Sequence, residues 1–215
     1  MNRDVGDLRR NYGIQELVEI AAAIEPLSQF KNWFEAAIDA KLTDPNAMNL
    51  ATIGLTGKPA SRIVLLKGYD RTGFVFYTNY QSRKSQELEA HPWAALTFCW
   101  IDLEQQVRIE GRAEKLSPEA SDTYFHSRPR DSQLGAWASP QSKVISDRRV
   151  LEQNLADLKA KYGEVEIIPR PEHWGGWRVI PEMMEFWQGR SSRLHDRLLY
   201  QLQTDGTWLR TRLSP

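Results

Sequence analysis

Arg62-Ile63-Val64-Leu65-Leu66-Lys67 is an apolar run bracketed by two cations, and it lies in the middle of a repeating pattern. Met48 to Ile53 and the turn Thr56-Gly57-Lys58 precede it. The turn Asp70-Arg71-Thr72-Gly73 and the run Phe74-Val75-Phe76-Tyr77-Thr78 follow it. Short runs rich in β-branched and aromatic residues, separated by glycine-bearing turns, predict a β-meander with strands over Met48–Ile53, Ser61–Lys67 and from Phe74 onward. Strict alternation along the middle strand puts Arg62 and Lys67 on opposite faces, so one strand could serve two anions. Two snorkelling residues at the strand ends are the plainer alternative.

Further along, the spacing predicts a short helix from Ser82 to Ala90, ended by Pro92, and strands over Trp93–Trp100 and Gln106–Lys115. Ser117-Pro118 reads as an N-cap serine with proline at the first helical position, opening a helix to about Ser127. A second helical segment to Ala138 and a longer one from Ser142 to about Tyr162 follow. Strands near Trp177–Ile180 and Met184–Gln188 come next. Asp205-Gly206 between Leu198–Gln203 and Thr207–Leu213 predicts a two-residue hairpin. Upstream, Ser28 to Lys41 reads as an amphipathic helix with Phe30, Trp33, Phe34, Ala37 and Ile38 on one stripe. The expected fold class is α+β with a β core, an antiparallel barrel decorated with helices. Residues 1–25 are expected to form a flexible arm and residues 26–215 a single domain.

Composition narrows the function classes. The chain has 215 residues, 41% of them hydrophobic, enough for a sizeable core. Formal net charge is zero, so no bulk field draws it to nucleic acid or to an anionic membrane, and anion binding must come from local clusters. Cys99 is the one cysteine, which excludes an intrachain disulfide and fits a reducing compartment. It lies in the apolar run Ala94 to Trp100 and is expected in the core. Met1-Asn2-Arg3-Asp4 leads into no apolar leader segment, and Val18–Ile24 is too short to span a bilayer, so a soluble, cytoplasmic protein is expected. No dinucleotide, Walker or H-E-x-x-H motif occurs. His91, His126, His173 and His195 lack metal-ligand spacing, and no metal is expected.

Several cationic constellations remain. Ser82-Arg83-Lys84 places cations in a first helical turn, against the macrodipole, at a cost of up to about 1 kcal/mol. A phosphate bound by the free N–H groups, the serine and both cations would reverse that sign. Gln141-Ser142-Lys143 repeats the pattern at the expected start of another helix. Tyr124 and Arg128 are four apart and share a helix face, and Pro129 turns the chain so that Ser132 returns a hydroxyl to the same place. Arginine with two hydroxyls suits a phosphate monoester, whereas a capped, charged helix junction is the bland reading. If Arg193-Leu194-His195-Asp196-Arg197 is extended, Arg193, His195 and Arg197 share one face that attracts an anion; a solvated barrel face is the alternative.

In order, these segments resemble the pyridoxine (pyridoxamine) 5′-phosphate oxidase family. The pieces that carry the resemblance are Arg62–Lys67, Phe76-Tyr77-Thr78-Asn79, Ser82-Arg83-Lys84, the run Tyr124 to Trp137, Gln141-Ser142, Trp174-Gly175-Gly176-Trp177, Glu185 to Gly189, Arg193–Arg197 and Arg212 to Pro215. The arm is similar only through Leu8-Arg9-Arg10-Asn11-Tyr12. The resemblance implies an FMN-binding split β-barrel and a homodimer with FMN at the subunit interface. It implies an enzyme that oxidises pyridoxamine 5′-phosphate or pyridoxine 5′-phosphate to pyridoxal 5′-phosphate. Hydride then passes from C4′ to flavin N5, and O2 reoxidises the flavin to give hydrogen peroxide.

By the same resemblance, Arg62, Ile63, Val64, Leu65, Leu66, Lys67, Tyr77, Thr78, Arg83, Lys84, Gln106, Gln141, Ser142, Trp187 and Arg197 bind FMN. Lys67, Tyr124, Arg128 and Ser132 clamp the substrate phosphate. Arg193, Leu194 and His195 cover the substrate ring, with Arg193 and His195 as the catalytic pair and Arg9, Arg10, Asn11 and Tyr12 closing over it. Two other classes compete: a non-catalytic split-barrel carrier or sensor of FMN or pyridoxal phosphate, which needs no Arg193/His195 pair, and a flavin reductase, which needs no Tyr124/Arg128/Ser132 clamp.

Overall fold

The computed structural model describes residues 11–163 and 165–215, so the expected contacts of Arg9 and Arg10 lie outside the described residues. The elements are α1 (Pro26–Asp39), β1 (Ala47–Ile53), β2 (Pro59–Leu65), β3 (Gly68–Asp70), β4 (Gly73–Asn79), α2 (Arg83–Ala90), β5 (Trp93–Trp100) and β6 (Gln105–Lys115). They continue with α3 (Pro118–Ser127), α4 (Arg130–Ala138), α5 (Arg149–Tyr162), β7 (Trp174–Gln188), β8 (Asp196–Leu202) and β9 (Trp208–Arg212). The sheet runs in the order β2-β1-β5-β6-β7-β4-β3, with β8 and then β9 added from β7.

The chain divides into two compact units. One comprises the described residues up to Leu50 with Ala95–Gly111 and Pro181–Pro215; the other comprises Ala51–Ala94 with Arg112–Ile180. The first is organised by aromatic side chains. Phe30 stacks on Phe34 at 5.6 Å and meets Phe98 edge-on at 5.1 Å, while Phe186 meets Trp33 at 5.4 Å and Tyr200 at 5.5 Å. Such edge and offset contacts add to the area these rings bury. Helix α1 begins with Pro26 and buries Gln29, Phe30, Trp33 and Ala37. Ile38 does not join the stripe; it stands exposed one residue round the helix from Ala37.

The described part of the N-terminal segment, from Asn11 to Glu25, is bonded within this first unit. Leu17 is buried, Tyr200 Oη donates to the Ala23 carbonyl (2.6 Å), and Arg212 donates to the Leu17 carbonyl (2.9 Å) and pairs with Glu19.

The second unit packs Phe125, Leu134, Tyr162, Ile168 and Trp174 into one cluster, with Tyr77 and Tyr124 against it. Ser117 caps α3 as its sequence predicts, its hydroxyl accepting from the Ala120 N–H (3.2 Å). Two glycines let β7 pass close to neighbours: a Cβ on Gly175 would lie 2.1 Å from Tyr80 Oη, and one on Gly176 would lie 2.5 Å from Leu116.

Four expectations need correction. The long helix starts at Arg149, not Ser142, because Ser142 has φ +69°, a left-handed conformation that a right-handed helix cannot contain. Gln141-Ser142-Lys143 is therefore loop rather than helix start. The two strands expected around Met184 are one strand, β7, which runs through Pro181. It pairs with β4 over Trp174–Val179 and with β8 over Met183–Gln188, and Pro181, which has no N–H, falls between those two ladders. The final hairpin is not a two-residue turn. Gln203 N–H donates to the Thr207 carbonyl and the Gly206 N–H to the Gln203 carbonyl, with Gly206 at φ +83°, which makes a three-residue connection. Cys99 is exposed rather than in the core, because β5 alternates and its buried face belongs to Ala94, Leu96, Phe98 and Trp100.

Candidate active site

The second unit contains a cavity of about 640 Å³. Its wall takes Arg62, Ile63, Val64 and Leu65 from β2, Lys67 from the turn beyond it, and Tyr77, Thr78 and Asn79 from β4. Lys84 comes from α2, Tyr124 and Arg128 from the end of α3, Ser132, Gly135 and Ala136 from α4, and Ser139, Gln141 and Trp174 from the segments that follow. Arg62 and Lys67 thus reach one cavity, not two faces: β2 ends at Leu65, Leu66 turns inward and is buried, and the alternation stops before Lys67.

Each cation has a defined setting. Lys84 Nζ donates to Thr78 Oγ1 (3.2 Å). Burial pushes its ammonium pKa down, and the Arg62 charge adds to that. Thr78 Oγ1 in turn donates to Gln141 Oε1 (3.0 Å), which also accepts the Asn79 N–H (3.3 Å). Gln141 therefore reaches the cavity from a loop, while Ser142 does not line it. Arg62 donates to Thr52 Oγ1 (2.5 Å) and Glu87 Oε2 (2.7 Å). Arg83 turns to Glu87 Oε1 (2.8 Å) and is absent from the cavity wall.

At the other side, Tyr124 stacks on Tyr77 with ring centroids 3.8 Å apart, and Tyr77 on Trp174 at 5.3 Å. Arg128 lies over the Trp174 ring at 4.6 Å. Burial lowers the Arg128 pKa, and its Nη1 is buried without a hydrogen-bond partner among the described residues. A guanidinium nitrogen in that state is costly unless an anion completes it. Tyr124, Arg128 and Ser132 do line one cavity, as their spacing predicts.

The remaining candidates lie in the first unit. Tyr12, Gln106 and Trp187 line a smaller cavity of about 250 Å³ with Cys99, Ile101, Glu104 and Gln105. The His195 ring packs on Trp187 at 4.6 Å and meets Tyr12 edge-on at 5.6 Å. Arg190 N–H donates to His195 Nδ1 (3.1 Å), so in the neutral ring Nε2 carries the proton and points its N–H away from that contact. Glu104 Oε2 accepts the Gly13 (2.7 Å) and Ile14 (3.1 Å) N–H groups, just beyond Tyr12.

The extended face expected over Arg193–Arg197 does not form. Ser191–Arg193 is a 3-10 turn with Arg193 at φ +62°, and β8 starts only at Asp196. Arg193 and Leu194 are exposed. Arg197 is committed to Glu185 Oε1 (2.7 Å) and the Ser214 carbonyl (2.9 Å). Asn11 is exposed.

Sequence reasoning missed the carboxylates. Glu87 is signalled only by its i,i+4 spacing from Arg83, and nothing in the sequence flags Glu104, whose backbone is left-handed at φ +56°.

A sequence model described as pyridoxamine 5′-phosphate oxidase matches residues 34–162, more than half of the chain. The chain belongs to the pyridoxamine 5′-phosphate oxidase family. A second model, described as the pyridoxine 5′-phosphate oxidase C-terminal dimerisation region, matches residues 174–215. Among curated relatives, the pyridoxine/pyridoxamine 5′-phosphate oxidase of Methylibium petroleiphilum is 57% identical over 215 residues and covers all of both chains. That of Synechocystis sp. is 57% identical over 211 residues, 98% of each chain.

The crystal structure of PhzG from Burkholderia lata, in complex with tetrahydrophenazine-1-carboxylic acid, is 33% identical with a TM-score of 0.85, over 91% of this chain and 95% of that one. A pyridoxamine 5′-phosphate oxidase-related, FMN-binding protein of Nostoc punctiforme shares the fold at TM-score 0.71 and 18% identity, over 90% of this chain and 100% of that one. The fold expected from the sequence is the observed one: the oxidase family's split β-barrel, antiparallel and decorated with helices. Among the described residues, no helix is long and apolar enough to cross a membrane.

Proposed function

We propose that this oxidoreductase is an FMN-dependent pyridoxamine/pyridoxine 5′-phosphate oxidase that makes pyridoxal 5′-phosphate, with O2 as acceptor and hydrogen peroxide as product. The observation that carries the reading is the large cavity, with half-buried Lys84 at one part of its wall and, at another, an Arg128 nitrogen that has no partner among the described residues. Its volume lies in the range of small-molecule and cofactor sites. Two half-buried cations, Lys84 bonded to Thr78 and Arg128 sharing the wall with Tyr124 and Ser132, fit a chemistry that handles two phosphates, one on a cofactor and one on a substrate. The relatives named for pyridoxine and pyridoxamine phosphate support the same assignment.

The residues present fit FMN. Lys84, Thr78, Gln141 and Arg62 would hold its phosphate, and the β2 backbone from Ile63 to Leu65 would flank the rest. Lys67, Tyr77, Leu66, Arg83, Ser142, Gln106, Trp187 and Arg197 complete the proposed set. Bound flavin supplies a hydride acceptor at N5 that O2 regenerates.

The protein's part is orientation and electrostatics. Arg128, Tyr124, Ser132 and Lys67 would clamp the substrate phosphate, the arginine gaining the acceptor that its buried nitrogen lacks. The Tyr77–Tyr124–Trp174 stack holds that clamp rigid. Arg193 and Leu194 would cover the substrate ring with Asn11 and Tyr12. His195, fixed by the Arg190 N–H, would offer its Nε2–H as a donor and so orient the substrate rather than remove a proton. A homodimer with the flavin at its interface is part of the proposal, supported by the matched dimerisation region at residues 174–215. A cytoplasmic setting goes with it.

The test is twofold. Heat should release FMN from the purified protein, and pyridoxamine 5′-phosphate added without oxygen should bleach the bound flavin. Release of FAD, or a flavin that the substrate leaves oxidised, contradicts the reading.

A further inference from the structure

Glu87 is 1% exposed at the fifth position of α2 and has three donors. Thr52 Oγ1 (2.6 Å) and Arg62 Nη2 (2.7 Å) bond Oε2, and Arg83 Nε (2.8 Å) bonds Oε1. Thr52 Oγ1 also accepts from Arg62 Nη1 (2.5 Å), so the Arg62 guanidinium is gripped along one edge by a closed triangle. Burial pushes the Glu87 carboxyl pKa up, but the bonds from Thr52, Arg62 and Arg83 outweigh it and hold the group below the ordinary carboxylate range. A charged carboxylate buried so deeply is expensive and persists only where its partners are all in place. Arg62 and Lys84, in turn, line the cavity.

We propose that Glu87 is a positioning residue for cofactor phosphate: with Thr52 it fixes the Arg62 guanidinium, and so aligns the cationic wall that a phosphate monoester meets beside Lys84 and Thr78. The inference rests on the FMN reading above. With Arg83, off the cavity wall, offsetting the Glu87 charge, Arg62 and Lys84 leave two positive charges on this part of the wall, which matches a phosphate monoester that is close to a dianion at neutral pH. Glutamine cannot replace the carboxylate. It has one acceptor oxygen, so an amide N–H must face either Arg62 or Arg83.

Two effects of removing the charge have opposite signs. Loss of a carboxylate raises the positive potential and would tighten phosphate binding through space. Loss of alignment frees Arg62 and weakens it. The second effect should dominate.

The experiment strips flavin from the full-length protein and titrates FMN and riboflavin, which lacks the phosphate, by quenching of flavin fluorescence. The wild type should prefer FMN. Glu87→Gln should lose about tenfold to a hundredfold of FMN affinity, the range for charge-assisted hydrogen bonds, with riboflavin affinity little changed. Thr52→Val keeps every charge and close to the same shape while removing the hydroxyl from Arg62. It should lower FMN preference in the same direction, and it carries the test if Glu87→Gln fails to fold. Glu89→Gln, an exposed change on the same helix, should leave the preference intact. An unchanged or raised FMN preference in Glu87→Gln, or in Thr52→Val should Glu87→Gln not fold, overturns the positioning role. Equal affinity of the wild type for FMN and riboflavin overturns the cofactor reading itself, and this inference with it.

Discussion

Arg128 and Lys84 line one cavity, yet their surroundings differ. Lys84 is bonded to Thr78 and through it to Gln141, whereas Arg128 lies on Trp174, in a wall it shares with Tyr124 and Ser132, with a nitrogen that has no partner among the described residues. Arg128→Ala should therefore raise substrate KM by about one to two decades and leave FMN affinity unchanged. Lys84→Ala should weaken FMN retention and leave KM near normal once FMN is saturating. Steady-state kinetics beside a flavin titration checks both, and equal losses in both measurements from either variant would show that the two anion sites are misassigned. Arg193→Ala should lower kcat/KM strongly with FMN still bound, since Arg193 is exposed in the turn before β8 and its truncation leaves the buried packing of the fold intact. Unchanged single-turnover flavin reduction in that variant would remove Arg193 from the mechanism.

At the scale of elements, the segment from Asn11 to Glu25 owes much of its attachment to the C-terminal hairpin. Glu19 pairs with Arg212 of β9 (2.6 Å), and that guanidinium holds the Glu19 carboxyl down to about 2 from an ordinary 4.5. A folded-state pKa lowered in this way contributes stability that is complete above about 4.5 and is lost as pH falls toward 2. Limited proteolysis should find cleavage before Pro26 accelerating across that acid window, while Glu19→Gln should be equally susceptible at both ends of it. A wild-type cleavage rate that is flat from pH 5 to pH 2.5 would contradict the anchor.

Most elements were legible because their signals are local. Ser117-Pro118 opens a helix by capping chemistry, and β5 along its whole length and β6 as far as Glu114 alternate. Two of the failures share a physical cause, in that backbone geometry overrode a pattern. Ser142 and Arg193 sit at positive φ, where neither helix nor strand continues, and residue type alone does not reveal this. Tyr124, Arg128 and Ser132 were legible as neighbours on one cavity wall because two helix ends and a proline fix their spacing. The Glu87 and Glu104 carboxylates were not, because Thr52 and Arg62 for the one and the Gly13 and Ile14 N–H groups for the other are distant in sequence.

On the scale of the molecule, a chain of zero net charge exerts no bulk field on an anion, and charge steering should be weak. Ile63, Leu65, Ile101 and Val144 stand exposed, and the C-terminal residues match a dimerisation region, so the protein should sediment as a dimer whose flavin occupancy falls on dilution into monomer. A stable monomer retaining full FMN would contradict that.

Oxygen uptake is the most direct test of the central claim. The purified yellow protein, given pyridoxamine 5′-phosphate in air-saturated buffer, should consume O2 and release hydrogen peroxide, ammonia and pyridoxal 5′-phosphate in equal amounts. Flavin-replete protein that binds the substrate and consumes no oxygen would show a carrier, not an oxidase.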